Sequence, residues 1–88
     1  MSAEKGYADA QTNLGYAYYK GQGTERDCRL AVRWYRKAAK QDALRAIRNL
    51  ALCYANGTGV RRDPRKAEAL FERYRRLKTA KPTNRNGG

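Results

Sequence analysis

Histidine is absent from the 88 residues, and cysteine and proline occur twice each. Without histidine the chain lacks the side chain that most often serves as general base or metal ligand near neutral pH, so neither an enzyme nor a metal or cofactor site is expected. Cys28 and Cys53 stand apart with no C-x-x-C pair, which fits reduced thiols rather than a disulfide framework. Long apolar runs are missing as well: the longest, Leu50 to Ala55, is far short of the roughly 20 residues that a membrane-spanning helix needs. The first six residues carry no apolar stretch of a signal peptide, so the default expectation is a cytoplasmic protein, with delivery by a secretion system that reads other signals as the alternative.

Acidic residues are scarce too. Eight Asp and Glu face 20 Lys and Arg, a net charge of +12, which favours acidic partners such as nucleic acid, an anionic membrane surface or an acidic protein face. A chain of this length is one domain with a thin core, burying only about 60% of its unfolded surface.

What the sequence does have is internal repetition. Asn13, Leu14, Tyr18, Gly21, Gly23 and Asp27 return 36 residues later as Asn49, Leu50, Tyr54, Gly57, Gly59 and Asp63, with Ala51 in place of Gly15. Residues 6–41 align with 42–77 without a gap, pairing also Ala10 with Ala46, Arg26 with Arg62, Arg29 with Arg65, Ala31 with Ala67 and Tyr35 with Phe71. A period of this size marks helical hairpins that must stack to bury their apolar faces. The expected domain is 1–77, followed over 78–88 by a disordered basic tail without apolar periodicity.

Within each copy the signals are local. Ala10, Leu14, Ala17 and Tyr18 follow the spacing of one helix face and predict a first helix from about Ala8 to Lys20 with these residues inward. Gly21 and Gly23 end it, and Asp27 caps the second helix, whose apolar side is Leu30, Ala31, Trp34, Tyr35 and Ala38. Asp42 is expected to open a third helix to Asn56 with Ala46, Leu50, Cys53 and Tyr54 inward. Gly57 and Gly59 repeat the turn, and Asp63-Pro64 starts a fourth helix, carrying Phe71, to about Leu77. Tyr74 and Arg75, standing where the second helix has Ala38-Ala39, are bulky enough to close the array at that end. The opposite edge, with Tyr7 on it, is a candidate homodimer or partner surface.

Leu14-Gly15-x-x-Tyr18-x-x-Gly21-x-Gly23, followed by Asp27, Ala31, Trp34-Tyr35 and Lys37-Ala38-Ala39, resembles the Sel-one-like repeat, a relative of the tetratricopeptide repeat. The resemblance covers about residues 6–77, more weakly in the second copy, where Leu70-Phe71 replaces Trp-Tyr. It implies an all-α fold, two antiparallel helix pairs in a short right-handed superhelix with the first helix of each pair lining a concave surface. Adaptor or scaffold roles in protein complexes go with it.

Two surfaces are candidate sites. Asp9, Thr12, Tyr16, Tyr19 and Lys20 of the first helix, with Arg45, Arg48, Leu52 and Asn56 of the third, fall away from the core on a helical wheel; tyrosines beside arginines suit recognition of an acidic protein or peptide. Arg29, Arg33, Arg36, Lys37 and Lys40 form a basic stripe on the second helix with no acidic residue among them. The glycine pairs are turns rather than phosphate loops, because no strand precedes them and no Gly-Lys-Ser or Gly-Lys-Thr follows. Glu68 and Glu72 read as a solvated, charge-balanced face among arginines. Three functions follow from these residues: a non-enzymatic adaptor for an acidic protein or peptide, a nucleic-acid binder using the stripe and the tail, and an inhibitor or immunity-type protein that occludes a partner enzyme.

Overall fold

The computed structural model describes the backbone of residues 2–86 and the side chains of residues 7–79. Four helices, α1 (Ser2–Lys20), α2 (Cys28–Ala39), α3 (Leu44–Asn56) and α4 (Pro64–Asn86), follow one another, with no strand among the described residues. The pairs α1–α2 and α3–α4 are helical hairpins, and α2 packs on α3 to join them. None of the described helices is long and apolar enough to cross a membrane.

Both hairpin turns have one construction. The amides of Gly21 and Gln22 donate to the Ala17 carbonyl at 2.7 and 2.9 Å, and those of Gly57 and Thr58 to the Cys53 carbonyl at 2.8 and 2.9 Å. The amides of Asp27 and Asp63 reach back to Tyr18 and Tyr54 at 2.8 and 2.9 Å. Each aspartate then caps the next helix, accepting from Leu30 N at 3.1 Å and from Lys66 N at 3.3 Å, so that orphan first-turn donors are satisfied. Arg26 and Arg62 complete the turns by donating Nε to the carbonyls of Tyr19 and Ala55. Their recurrence at the repeat period is the sequence trace of that job.

The core lies where α2 meets its neighbours. Tyr35, Ile47 and Val32 are its largest fully buried apolar side chains, with Ala31, Ala38 and Ala46 packed at zero exposure. Tyr35 enters because Gly15 makes room: a Cβ on Gly15 would stand 2.7 Å from the tyrosine ring. In the second hairpin Ala51 takes the place of Gly15, and Phe71 in the position of Tyr35 is only partly buried.

Five expectations are corrected. Ala10 and Leu14, read as inward, are exposed, Leu14 by 42%, whereas their equivalents Ala46 and Leu50 are 0% and 5% exposed beneath the first hairpin. Periodicity reports that a face is apolar; it does not report what covers it. Thr12, read as outward, is buried, its hydroxyl satisfied by the Ala8 carbonyl at 2.9 Å. Trp34 is half-buried outside the central cluster, with Lys37 Nζ 4.8 Å from its ring centroid. Asp42 does not cap α3: it adopts φ 60°, and its carboxylate instead takes Arg73 Nη2 at 2.6 Å, while the cap position falls to Ala43 without a side-chain bond. Finally, α4 runs on to Asn86, so the backbone of residues 78–86 is helical where a disordered tail was expected, although Pro82 within it lacks an amide to donate; residues 87 and 88 lie outside the described residues. Glu68 and Glu72 are exposed and pair with no described residue.

Candidate functional site

The apolar positions that fold each hairpin leave the opposite sides of α1 and α3 outward. Between them lies a half-open cleft of about 70 Å³, lined by Tyr16, Tyr19, Leu52 and Asn56 together with Tyr35, Asn49, Cys53 and Thr58. The first four belong to the predicted recognition surface, so the structure gathers residues from two helices that are 36 residues apart in the pattern. Of the second four, Tyr35 and Cys53 are core positions and Thr58 a turn position not assigned to it by sequence, while Asn49, a repeat position on α3 expected rather to bond between the repeats, also lines it. Asp9, Lys20, Arg45 and Arg48 are exposed on the same two helices but do not line the cleft, and Thr12 is buried outside its lining.

The cleft is apolar with a few polar atoms at its edge. Tyr16 and Tyr19 stand 6.3 Å apart between ring centroids, tilted by 40°, and both are exposed by more than a third. Arg26 lies 5.9 Å from the Tyr19 ring centroid, which fixes one face of that ring. Among the described residues the carboxamides of Asn49 and Asn56 have no side-chain hydrogen-bond partner, leaving donors and acceptors for an incoming chain. Asn13, the equivalent of Asn49, instead accepts a long bond of 3.5 Å from Arg45 and links the two hairpins.

Burial pushes the Tyr35 phenol up to about 12, helped by Cys53, Tyr19 and Tyr16 and opposed by Arg45, so at neutral pH the floor offers a neutral hydroxyl. Cys53 is likewise raised to about 11, by burial first and then by the neighbouring Cys28. Both cysteines are free thiols, Cys53 buried and Cys28 partly exposed. Because the thiolate is the reactive form, iodoacetamide at pH 8 is expected to label Cys28 and spare Cys53 in the folded chain, and to label both after unfolding in urea. Peptide mass spectrometry of the two conditions checks this; rapid labelling of Cys53 in the native protein would contradict its burial.

The basic stripe divides into two kinds of residue. Arg36 is tied down, donating Nη2 to the buried Tyr54 hydroxyl at 2.9 Å, and Lys37 covers Trp34. Arg29, Arg33 and Lys40 are exposed and form no ion pair or hydrogen bond from their side chains with a described residue. No group of His, Cys, Asp and Glu among the described residues could hold a metal ion.

Comparison with known proteins agrees with this architecture. A model of the Sel1 repeat matches residues 8–42 and 44–73. Over 72 residues the chain is 42% identical to mouse Protein sel-1 homolog 2, covering 81% of this chain and 10% of that one. Over 79 residues it is 33% identical to HRD3B of Arabidopsis thaliana, an ERAD-associated E3 ubiquitin-protein ligase component, covering 90% and 13%. The chain thus spans about a tenth of the length of the curated relatives it matches. A crystal structure of a Sel1 repeat protein from Oxalobacter formigenes superposes with a TM-score of 0.75 at 37% identity, over 76% of this chain and 28% of the other. A protective antigen of uropathogenic Escherichia coli with an SLR fold superposes at 0.79 with 36% identity, over 85% and 16%. The chain belongs to the Sel1 repeat family, whose helical hairpins are scaffolds for protein–protein interaction.

Proposed function

We propose that this chain is a non-enzymatic adaptor module that holds an extended segment of a protein partner in the cleft between α1 and α3. The observation that carries the reading is the junction of two exposed tyrosines and Leu52 with the unpaired carboxamides of Asn49 and Asn56. An apolar side chain of the partner fills the cleft against Tyr16, Tyr19 and Leu52. Its backbone amides and carbonyls then meet the carboxamides, which match a peptide group in donors and acceptors. Arg45 and Arg48, exposed on the same helix, favour a partner that carries acidic residues beside the apolar anchor.

Aromatic anchors of this kind carry a large share of interface energy, commonly about 2 kcal/mol or more each. Peptides selected from a random displayed library on the folded chain should therefore be enriched in an apolar residue flanked by Asp or Glu. Replacing Tyr16 and Leu52 together by alanine is expected to weaken the selected peptides roughly 30-fold or more while leaving the helical spectrum unchanged. Equal binding by that double variant would remove the cleft as the site.

A further inference from the structure

We propose a second binding surface on the outer side of α2, one that takes the phosphate backbone of single-stranded nucleic acid and stacks a base on Trp34. It is independent of the cleft. Arg29, Arg33 and Lys37, with the C-cap Lys40, occur at steps of four, four and three residues, so their Cα atoms climb the helix by about 6, 6 and 4.5 Å and lie on one side of it. All four are exposed. Like charges at these spacings repel, and no acidic residue of α2 offsets them. The position of Arg36 is Glu72 in the second hairpin and that of Val32 is Glu68, so the repeat accepts acidic residues there and α2 simply has none.

Which polyanion fits follows from two further features. The apolar side of α2 is spent in the core, where Ala31, Val32, Tyr35, Ala38 and Ala39 are buried, so the helix has no apolar face to lay into a membrane. Leu30 and Trp34 are the exceptions, both partly buried outside the central cluster, and of the two only Trp34 is a flat aromatic. It is half-buried, stands outside the central cluster and borders the stripe, with Lys37 4.8 Å from its ring centroid. An indole beside a row of evenly spaced cations matches a polymer that alternates phosphates with flat bases, and every base has a face that can stack. An acidic peptide offers carboxylates but no such faces.

The test is fluorescence anisotropy of a labelled 12-nucleotide single strand with the whole chain, from low to about 0.2 M salt. Three or four neutralised phosphates predict a slope of log K against log salt of about −2 to −3. Replacing Arg29, Arg33 and Lys40 together by glutamine should bring the slope above −1 and cost at least tenfold in affinity at low salt. W34L should cost at least fivefold with the slope unchanged, as expected when stacking is lost and charge is kept. The cleft variant Tyr16→Ala with Leu52→Ala should bind the strand as the parent does. The assignment is overturned if the glutamine variant keeps the parent slope, if W34L binds as tightly as the parent, if the cleft variant loses binding, or if polyglutamate displaces the strand at equal charge concentration.

Discussion

Tyr35→Ala is expected to abolish the cooperative unfolding transition of this chain, or to lower its midpoint by roughly 12 °C or more, while Trp34→Ala shifts it far less. Tyr35 is 1% exposed and fills the slot left by Gly15, in contact with the first hairpin and beside Cys53 of the second. Removing a buried aromatic leaves a cavity that a close-packed core closes only in part, at a cost of about 3 to 5 kcal/mol. Each kcal/mol corresponds to about 4 to 8 °C in a domain of this size, so the lower bounds alone give the 12 °C figure. Trp34 is larger but only partly buried, outside the central cluster and under Lys37, so its truncation should cost less, roughly 1 to 2 kcal/mol. Composition alone ranks the tryptophan first. Thermal unfolding of the two variants followed by circular dichroism distinguishes the rankings, and a larger loss for Trp34→Ala would mean that the core is centred elsewhere.

The second large effect is Gly59→Ala, set against its twin Gly23→Ala. Both glycines have φ of +74°, where an alanine costs about 1 to 2 kcal/mol. Their surroundings differ. A Cβ on Gly59 would overlap the Cys28 carbonyl oxygen and stand 2.6 Å from its carbonyl carbon, and these are backbone atoms at the start of α2 that cannot rotate aside. A Cβ on Gly23 meets nothing within 4 Å. Adding about 1 to 3 kcal/mol for overpacking puts Gly59→Ala at roughly 2 to 5 kcal/mol and Gly23→Ala at the dihedral cost alone. Because Gly59 is where the second turn seats on the first hairpin, its variant should also broaden the transition as the two hairpins part. Equal losses in both variants would show that the turn conformation, and not the seating of one repeat on the next, decides the stability.

This asymmetry also explains how far the fold could be read from the residues. The turns and caps were legible because they rest on local chemistry: glycine where φ is positive, aspartate where first-turn amides lack partners, and both at a 36-residue period. Interior faces were legible in α3, where Ala46, Leu50, Cys53 and Tyr54 are all buried against other helices. The same pattern misled in α1, because Ala10 and Leu14 occupy a stacking face with no described helix on it. Asp42 was misplaced because its partner, Arg73, lies 31 residues away and also bonds the Ala39 carbonyl, a tie across hairpins that no local rule predicts. In the candidate site the outward wheel positions Tyr16, Tyr19, Leu52 and Asn56 were legible. The floor was not: Tyr35 and Cys53 count as core on a wheel, and only the tertiary packing brings their tips to the cleft.

The most direct test of the proposed recognition surface is to map a library-selected peptide by nuclear magnetic resonance on the isotopically labelled chain. Amide shifts are expected to concentrate on Tyr16, Tyr19, Asn49, Leu52 and Asn56, with side-chain carboxamide signals of Asn49 and Asn56 moving as they gain partners. Shifts confined to α2 at Arg29, Arg33 and Lys40, with the cleft silent, would contradict the proposed surface.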